Sequence, residues 1–146
     1  MNRESEIQEQ LKNALAAAAL GAKEAGELSF SSLPDFVLEV PREKQHGDFA
    51  SNIAMLLTKE AKKPPRLIAE TLLKHFQKEG TWVASLEIAG PGFINFKLNN
   101  AWLYQVIPDV LRTGQAYGRS DIGKGKKVQV EFVSANPTGL LHMGNA

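Results

Sequence analysis

Trp82-Val-Ala-Ser-Leu-Glu-Ile-Ala-Gly-Pro-Gly-Phe-Ile-Asn-Phe-Lys-Leu98 consists of two apolar runs separated by a short turn sequence. Both runs are typical of strands, and Ala89-Gly-Pro-Gly92 has the composition of a hairpin connection. Because side chains alternate along a strand, the second run places three apolar residues on one face: Ile94, Phe96 and Leu98. The stretch therefore predicts a β-hairpin with one face turned towards a core.

Helical periodicity dominates the rest of the first hundred residues. Apolar spacing predicts a helix over 4–20, closed by Gly21, and a short strand over 36–40. Asp48 is a good cap for a second helix, which is broken at Pro64-Pro65. A third helix is expected to begin at Pro65, a position that tolerates proline.

A fourth helix is predicted over 101–111, with a kink or break at Pro108. Its spacing predicts a buried stripe formed by Leu103, Val106, Ile107 and Val110. The pattern as a whole predicts an α+β domain, a small and mainly antiparallel sheet packed with helices.

Composition excludes several classes of protein. Hydrophobic residues make up 43% of the 146, which supports a real core and argues against disorder. Without cysteine there is no disulfide or thiolate metal site, which is compatible with a reducing cytosol. We expect no metal centre and a cytoplasmic location. No apolar run approaches the ~18 residues of a membrane span. A net charge of +1 does not by itself indicate a nucleic-acid binder, although a local basic face would be compatible with it.

Phe93, Asn95 and Lys97 lie on the second face of the last strand. A ring can stack on a base, an amide can bind a base edge and a lysine can contact phosphate, which is how proteins read unstacked RNA. A half-exposed strand with one partly covered aromatic residue would show the same pattern. Alternation alone leaves both interpretations open.

The most specific motif is Val128-Gln-Val-Glu-Phe-Val-Ser-Ala-Asn-Pro-Thr-Gly-Leu-Leu-His-Met-Gly-Asn-Ala146. Residues 128–133 predict a strand covered on both faces, and Pro137 and Gly139 favour a tight turn after it. A strand, a turn and the start of a helix form the phosphate-binding corner of nucleotide folds.

From Glu131 to Asn145 this motif resembles the arginyl-tRNA synthetase version of the class I "HIGH" signature. Three further segments resemble the additional N-terminal domain of the same family, and they occur in its order: Gln45-His-Gly-Asp-Phe-Ala-Ser-Asn-Ile-Ala-Met55, Pro65-Arg-Leu-Ile-Ala69 and Gly90-Pro-Gly-Phe-Ile-Asn-Phe96. The resemblance spans residues 7–146 and is more specific than an isolated tetrapeptide.

The resemblance implies three parts. Residues 1–117 would be the additional domain that binds the tRNA D-loop, 118–127 a glycine-rich charged linker, and 128–146 the first strand of a truncated Rossmann-type catalytic domain with its HIGH-like motif. The family's Lys-Met-Ser-Lys-Ser-like loop and helical anticodon-binding domain are absent from this sequence. We therefore expect the N-terminal part of a longer enzyme, inactive alone.

The resemblance also implies roles for residues at the end of the chain. His142 and Asn145 would be the catalytic pair that contacts the ATP phosphates, and Gly144 would leave room for adenosine. Many relatives have a second histidine where this sequence has Asn145. Asparagine can donate a hydrogen bond but cannot carry a positive charge, which excludes a cationic role at that position.

Arginine binding would fall to Glu131, Ser134 and Asn136, by the same resemblance. A carboxylate suits the planar fork of a guanidinium, and Glu131 is the acidic residue of the signature. The alternative is that Glu131 pairs with Lys126 or Lys127. In the additional domain, the resemblance assigns the D-loop contact to Phe93 and Asn95, with Lys97 as a further candidate.

The implied parent joins arginine to tRNA(Arg) through an adenylate, with ATP and Mg²⁺ as the substrate complex and no tightly bound cofactor. We expect a monomeric parent. Two alternatives for this chain are a non-catalytic RNA-binding module and a scaffold that braces the catalytic domain. His46-Gly47-Asp48 is interpreted as a turn and a helix cap, not as a catalytic pair, and His75 as a surface residue.

Overall fold

The hairpin lies within a four-stranded antiparallel sheet. The structure, a computed structural model, describes residues 3–132, 139, 140 and 143. Strand β3 (Val83–Ala89) and strand β4 (Phe93–Leu98) form the predicted hairpin. Strand β2 (Phe49–Ser51) pairs with the other edge of β4, and strand β1 (Leu38–Glu39) pairs with β2. The order β1-β2-β4-β3 makes β4 an internal strand.

Helices pack against one face of this sheet. The main ones are α1 (Arg3–Glu24) and α4 (Pro65–His75), with α2 (Ile53–Leu56) and α3 (Thr58–Ala61) between them in the chain. The helices and β4 share one core, whose completely buried members include Leu11, Leu15, Ile68, Leu72, Ile94 and Phe96. The predicted α+β class with an antiparallel sheet is confirmed, as is the start of α4 at Pro65.

Helix α1 is longer than the spacing predicted. It continues through Gly21 to Glu24, and the Gly26 that follows has a φ of 72°. An interior glycine costs a helix about 1 kcal/mol relative to alanine. Ala22 is completely buried one residue beyond Gly21, so continued packing against the core outweighs that cost.

The prediction of Asp48 as a helix cap is wrong. Phe49–Ser51 is strand β2, and helix begins only at Ile53. Phe49 and Ser51 are buried beside β4, and the backbone between them completes the ladder of that strand. Phe49 and Ile53 are four residues apart, a spacing that suits either a helix or a strand followed by a helix. The strand expected over 36–40 is likewise reduced to Leu38–Glu39.

The fourth predicted helix is broken at Gln105 into α5 (Ala101–Tyr104) and α6 (Val106–Thr113). Pro108 lies in the first turn of α6, where its missing N–H group costs nothing, so the break precedes it. The buried stripe was also predicted wrongly, because three of its four members are exposed: Leu103, Ile107 and Val110. Trp102 packs against the core instead.

The chain divides into two units of contacts, Met1–Pro108 and Asp109–Ala146. In the second, residues 117–127 are exposed turn and coil, and residues 128–132 belong to no strand. Val128, Val130 and Phe132 are exposed, whereas the sequence predicted a covered strand. A strand needs a neighbouring strand to pair with its backbone N–H and C=O groups. In the described part of the chain, no strand pairs with residues 128–132. Residue 133 lies outside the described residues.

Candidate nucleic-acid interface

Phe93, Asn95 and Lys97 share the face of β4 that is opposite the helices. Residues paired across antiparallel strands lie on the same face of a sheet. The cross-strand partners of the three residues are small or acidic: Ala50, Ser85, Glu87 and Ala89. The structure thus confirms the alternation predicted for this strand and brings the three candidate residues together.

The three side chains differ in accessibility. Phe93 is 37% exposed at the start of the strand, so part of its side chain is accessible for stacking. Lys97 is exposed and makes no ion pair with any described residue. Asn95 is only 7% exposed, although it does not face the helices. Asn95 is shielded from solvent by the segment 45–47, which folds over this part of the sheet.

Asn95 lines a small polar cavity of about 50 Å³. One side of the cavity is a 3₁₀ turn, Lys44–His46, followed by Gly47. The other side consists of β3 and β4 residues: Ser85, Glu87, Phe96 and Lys97. The Asn95 amide has no hydrogen-bond partner among the described residues, and an amide can both donate and accept. The cavity therefore presents hydrogen-bonding capacity that the fold itself does not use.

Gly47 and Asp48 fasten this turn to β4. Gly47 has a φ of 89°, and a Cβ atom there would lie 2.5 Å from the carbonyl oxygen of Phe96. The Asp48 N–H group donates to the same oxygen at 2.7 Å. The Asp48 carboxylate accepts from the N–H group of Leu98 at 2.7 Å. These contacts hold the turn against β4. Asp48 therefore hydrogen-bonds to a strand and does not cap a helix.

Sequence reasoning missed Gln45 and His46 as members of this site, because it treated His46 as a loop residue. Gln45 Nε2 donates to the carboxylate of Glu43, and His46 Nε2 lies 3.6 Å from the same carboxylate. The signal that could have found them is Gly47. A glycine near a strand can mark a site where another backbone approaches closely, and here the Gly47 backbone approaches β4.

The position of Phe93 depends on the hairpin turn. Gly92 has a φ of 143°, and a Cβ atom there would lie 2.9 Å from the carbonyl carbon of Pro65. The turn therefore packs directly on the first residue of α4. Phe93 follows immediately at the start of β4, so the contact between this turn and Pro65 fixes the backbone position of Phe93.

Two carboxylates with shifted pKa values lie away from this face. The pKa of Glu27 is lowered chiefly by a hydrogen bond from Lys74, at 2.8 Å, with His75 Nε2 at 3.3 Å from the same oxygen. The pKa of Glu60 is lowered by hydrogen bonds from the Ser31 backbone and hydroxyl groups. His75, expected at the surface, is partly covered, with 23% of its side chain exposed. Each carboxylate connects a helix to a loop, so both have a structural role.

The remaining predicted site residues are not gathered into a site by the described structure. Glu131 is exposed in coil. Five predicted residues lie outside the described residues: Ser134, Asn136, His142, Gly144 and Asn145. Among the residues that are described, no group of histidines and carboxylates could hold a metal ion, and no helix is long and apolar enough to cross a membrane.

The sequence is similar to known proteins over its whole length. The family described as "Arginyl tRNA synthetase N terminal domain" matches residues 5–98. The chain is 67% identical over 132 residues to an arginine–tRNA ligase of Desulfitobacterium hafniense (strain DSM 10664 / DCB-2) and 56% identical over 146 residues to that of Moorella thermoacetica. These alignments cover 90% and 100% of this chain but 24% and 26% of the relatives. The chain thus spans about a quarter of the length of the curated relatives it matches.

The fold also resembles a solved structure. The arginyl-tRNA synthetase of Plasmodium falciparum superimposes with a TM-score of 0.55 at 16% sequence identity, over 68% of this chain and 17% of that one. At this identity the likeness concerns the fold alone.

Proposed function

The chain belongs to the arginyl-tRNA synthetase family, and we propose that it docks tRNA(Arg) for an arginine–tRNA ligase. The observation that carries this proposal is the sheet face with Phe93, Asn95 and Lys97. An unpaired base of the D-loop stacks on the Phe93 ring, and its edge reaches the Asn95 amide. Lys97 contacts the neighbouring phosphate. These are the three kinds of contact by which proteins bind unstacked nucleotides.

The proposed parent enzyme activates arginine and transfers it to tRNA(Arg) in the cytoplasm, as a monomer. A carboxylate oxygen of arginine attacks the α-phosphorus of ATP, which enters as its Mg²⁺ complex. The bond to the β-phosphate breaks and pyrophosphate leaves. A terminal hydroxyl of the tRNA then attacks the arginyl carbonyl carbon, and AMP leaves. No protein nucleophile takes part, so the enzyme acts by positioning and by stabilising charge.

Within that reaction we assign the HIGH-like motif its family roles. His142 and Asn145 would contact the ATP phosphates as the catalytic residues, and Gly144 would admit the adenosine. The arginine substrate would be held by Glu131, Ser134 and Asn136. We also propose three parts of the chain. Residues 1–117 form a D-loop-binding domain, 118–127 a linker, and 128–146 the start of a Rossmann-type catalytic domain. The chain by itself would dock tRNA without activating arginine.

Binding of the 146-residue chain to transcribed arginine tRNA tests the docking role, with a tRNA altered in its D-loop as the comparison. Phe93→Ala and Asn95→Ala should each weaken binding to the intact tRNA, and Lys97→Ala should reduce its dependence on salt. Tyr104→Ala is the matched aromatic control, since Tyr104 is 66% exposed on α5 and does not belong to the sheet face.

Binding that ignores the D-loop and all three substitutions would overturn the proposal and favour a scaffold role. ATP–pyrophosphate exchange by the same chain separately tests the expectation that it is inactive alone. We expect no exchange above background from this chain.

A further inference from the structure

The turn beside Asn95 takes no part in the docking contacts of β4. We propose that this turn, Lys44–His46, is the second wall of the nucleotide site and that His46 contacts the nucleotide stacked on Phe93. The inference rests on the proposed tRNA docking, because it concerns the same nucleotide. It assigns a residue on a different segment of the chain from the strand that carries the other contacts.

The dimensions of the cavity support a base edge and not a whole base. About 50 Å³ is well below the roughly 300–1,000 Å³ of a typical small-ligand pocket, so the cavity suits the edge of a base. A base stacked on Phe93, outside the cavity, would direct its polar edge towards Asn95. The opposite rim of that cavity is formed by Gln45 and His46, so the imidazole lies across the cavity from Asn95.

The turn is held in place before any RNA arrives. The Gly47 backbone lies against the Phe96 carbonyl group, and Asp48 makes two hydrogen bonds to β4, both at 2.7 Å. A wall fixed in its bound position loses little conformational entropy when the ligand binds. Half of the His46 side chain is exposed, so it can be reached from solvent.

The chemistry of the surrounding charges favours His46 over its neighbour as the contact. Gln45 already donates its amide to Glu43. His46 Nε2 is 3.6 Å from Glu43, beyond an ordinary hydrogen bond, which leaves ring nitrogens for a base or a phosphate. The other charged groups at the cavity are Glu87 on β3 and Lys97 on β4. A base edge with a donor and an acceptor fits this mixture of carboxylate, amide and imidazole.

The test is a cycle that combines His46→Ala with alteration of the D-loop in arginine tRNA, using the 146-residue chain. We expect His46→Ala to bind intact tRNA about five- to tenfold more weakly, the size of a lost hydrogen bond, and to bind the altered tRNA as the unsubstituted chain does. His75→Ala is the matched control, because His75 lies on α4 beside Glu27 and not at the cavity. Thermal unfolding of each variant checks that the fold is retained.

Two outcomes would overturn the inference. His46→Ala could bind intact tRNA unchanged while Asn95→Ala weakens it, and the docking proposal would then survive without the second wall. His46→Ala could instead weaken both tRNAs equally, which would place its effect outside the D-loop site. If neither His46→Ala, Asn95→Ala nor Phe93→Ala has an effect, the proposed docking itself fails.

Discussion

The carboxylate of Asp48 accepts a hydrogen bond from the backbone N–H group of Leu98, fifty residues further along the chain, at 2.7 Å. This bond satisfies a donor at the end of the internal strand β4, where the short strand β2 no longer reaches. It also holds the turn that forms one side of the Asn95 cavity. A motif that looks like a catalytic histidine–aspartate pair is therefore a fastening between a loop and a sheet.

Asp48→Ala should lower the free energy of unfolding by about 1 kcal/mol, because the Leu98 N–H group loses its partner. Asp48→Asn keeps an acceptor oxygen and should lose less than half as much. Urea denaturation of the three proteins measures the difference. Equal stability of the alanine and asparagine variants would show that this bond is not what holds the turn.

Gly47→Ala should destabilise the fold by about 2–3 kcal/mol, because alanine disfavours the positive φ of this position and its Cβ atom would clash with β4. The added Cβ would lie 2.5 Å from the Phe96 carbonyl oxygen, which cannot move without disturbing the sheet. Gly26 is the control, since its φ is 72° but nothing lies within 4 Å of a Cβ there. Gly26→Ala should cost only about 1 kcal/mol by thermal or urea unfolding. Similar losses at both positions would argue against the close approach of Gly47.

Gly92 and Gly90 provide a matched pair within one turn. A Cβ at Gly92 would be 2.9 Å from the carbonyl carbon of Pro65, whereas a Cβ at Gly90 has nothing within 4 Å. Gly92→Ala should therefore lower stability by about 1–2 kcal/mol more than Gly90→Ala, because the hairpin must move away from α4. Since Phe93 follows directly, Gly92→Ala should also weaken tRNA binding. Comparison of melting temperatures and binding for the two variants tests both expectations.

Phe96 and Phe93 lie on opposite faces of one strand. Substitution of Phe96 should therefore affect stability, and substitution of Phe93 should affect tRNA binding. Phe96 is completely buried, with its ring centroid 5.8 Å from that of Phe76. Phe96→Ala should cost about 3–5 kcal/mol, and Phe93→Ala less than about 1 kcal/mol. Under the proposed function, Phe93→Ala should reduce tRNA binding instead. A large loss of stability from Phe93→Ala would contradict its placement on the open face.

Stability should decline in acid partly through Glu60. Hydrogen bonds from Ser31 hold the pKa of this carboxyl group below its ordinary value of 4.5. A pKa lowered by folding contributes stability that is complete above the unfolded value and is lost as the pH falls through the folded one. Glu60→Gln should therefore flatten the acid limb of a stability–pH curve below about pH 4.5. Glu79→Gln, in the loop before β3, is the control and should leave that limb unchanged.

Several features could be predicted because they depend on neighbours in the sequence. The alternation of β4, the hairpin turn and the start of α4 at Pro65 follow from periodicity and from backbone preferences. The grouping of Phe93, Asn95 and Lys97 on one face follows from the same alternation. The sequence motifs alone indicated the family, and the matched relatives agree with it.

The errors share one physical origin. Phe49 to Ile53 has a spacing that suits both a helix and a strand followed by a helix, and only the open edge of β4 decided for a strand. The buried side of α5 was decided by Trp102, which reaches the core, and not by the aliphatic stripe. In each case, a residue distant in sequence supplied the partner that local spacing could not specify.

Local sequence alone thus determined which residues alternate, where proline begins a helix and which face of β4 is apolar. Tertiary structure decided that Asn95 lies in a cavity, that Asp48 serves a strand and that His46 stands beside the candidate site. These features arise from contacts across about fifty residues, between the Gly47 backbone and the Phe96 carbonyl group. Periodicity reports on neighbours within a few positions, whereas such a contact exists only after the chain has folded back on itself.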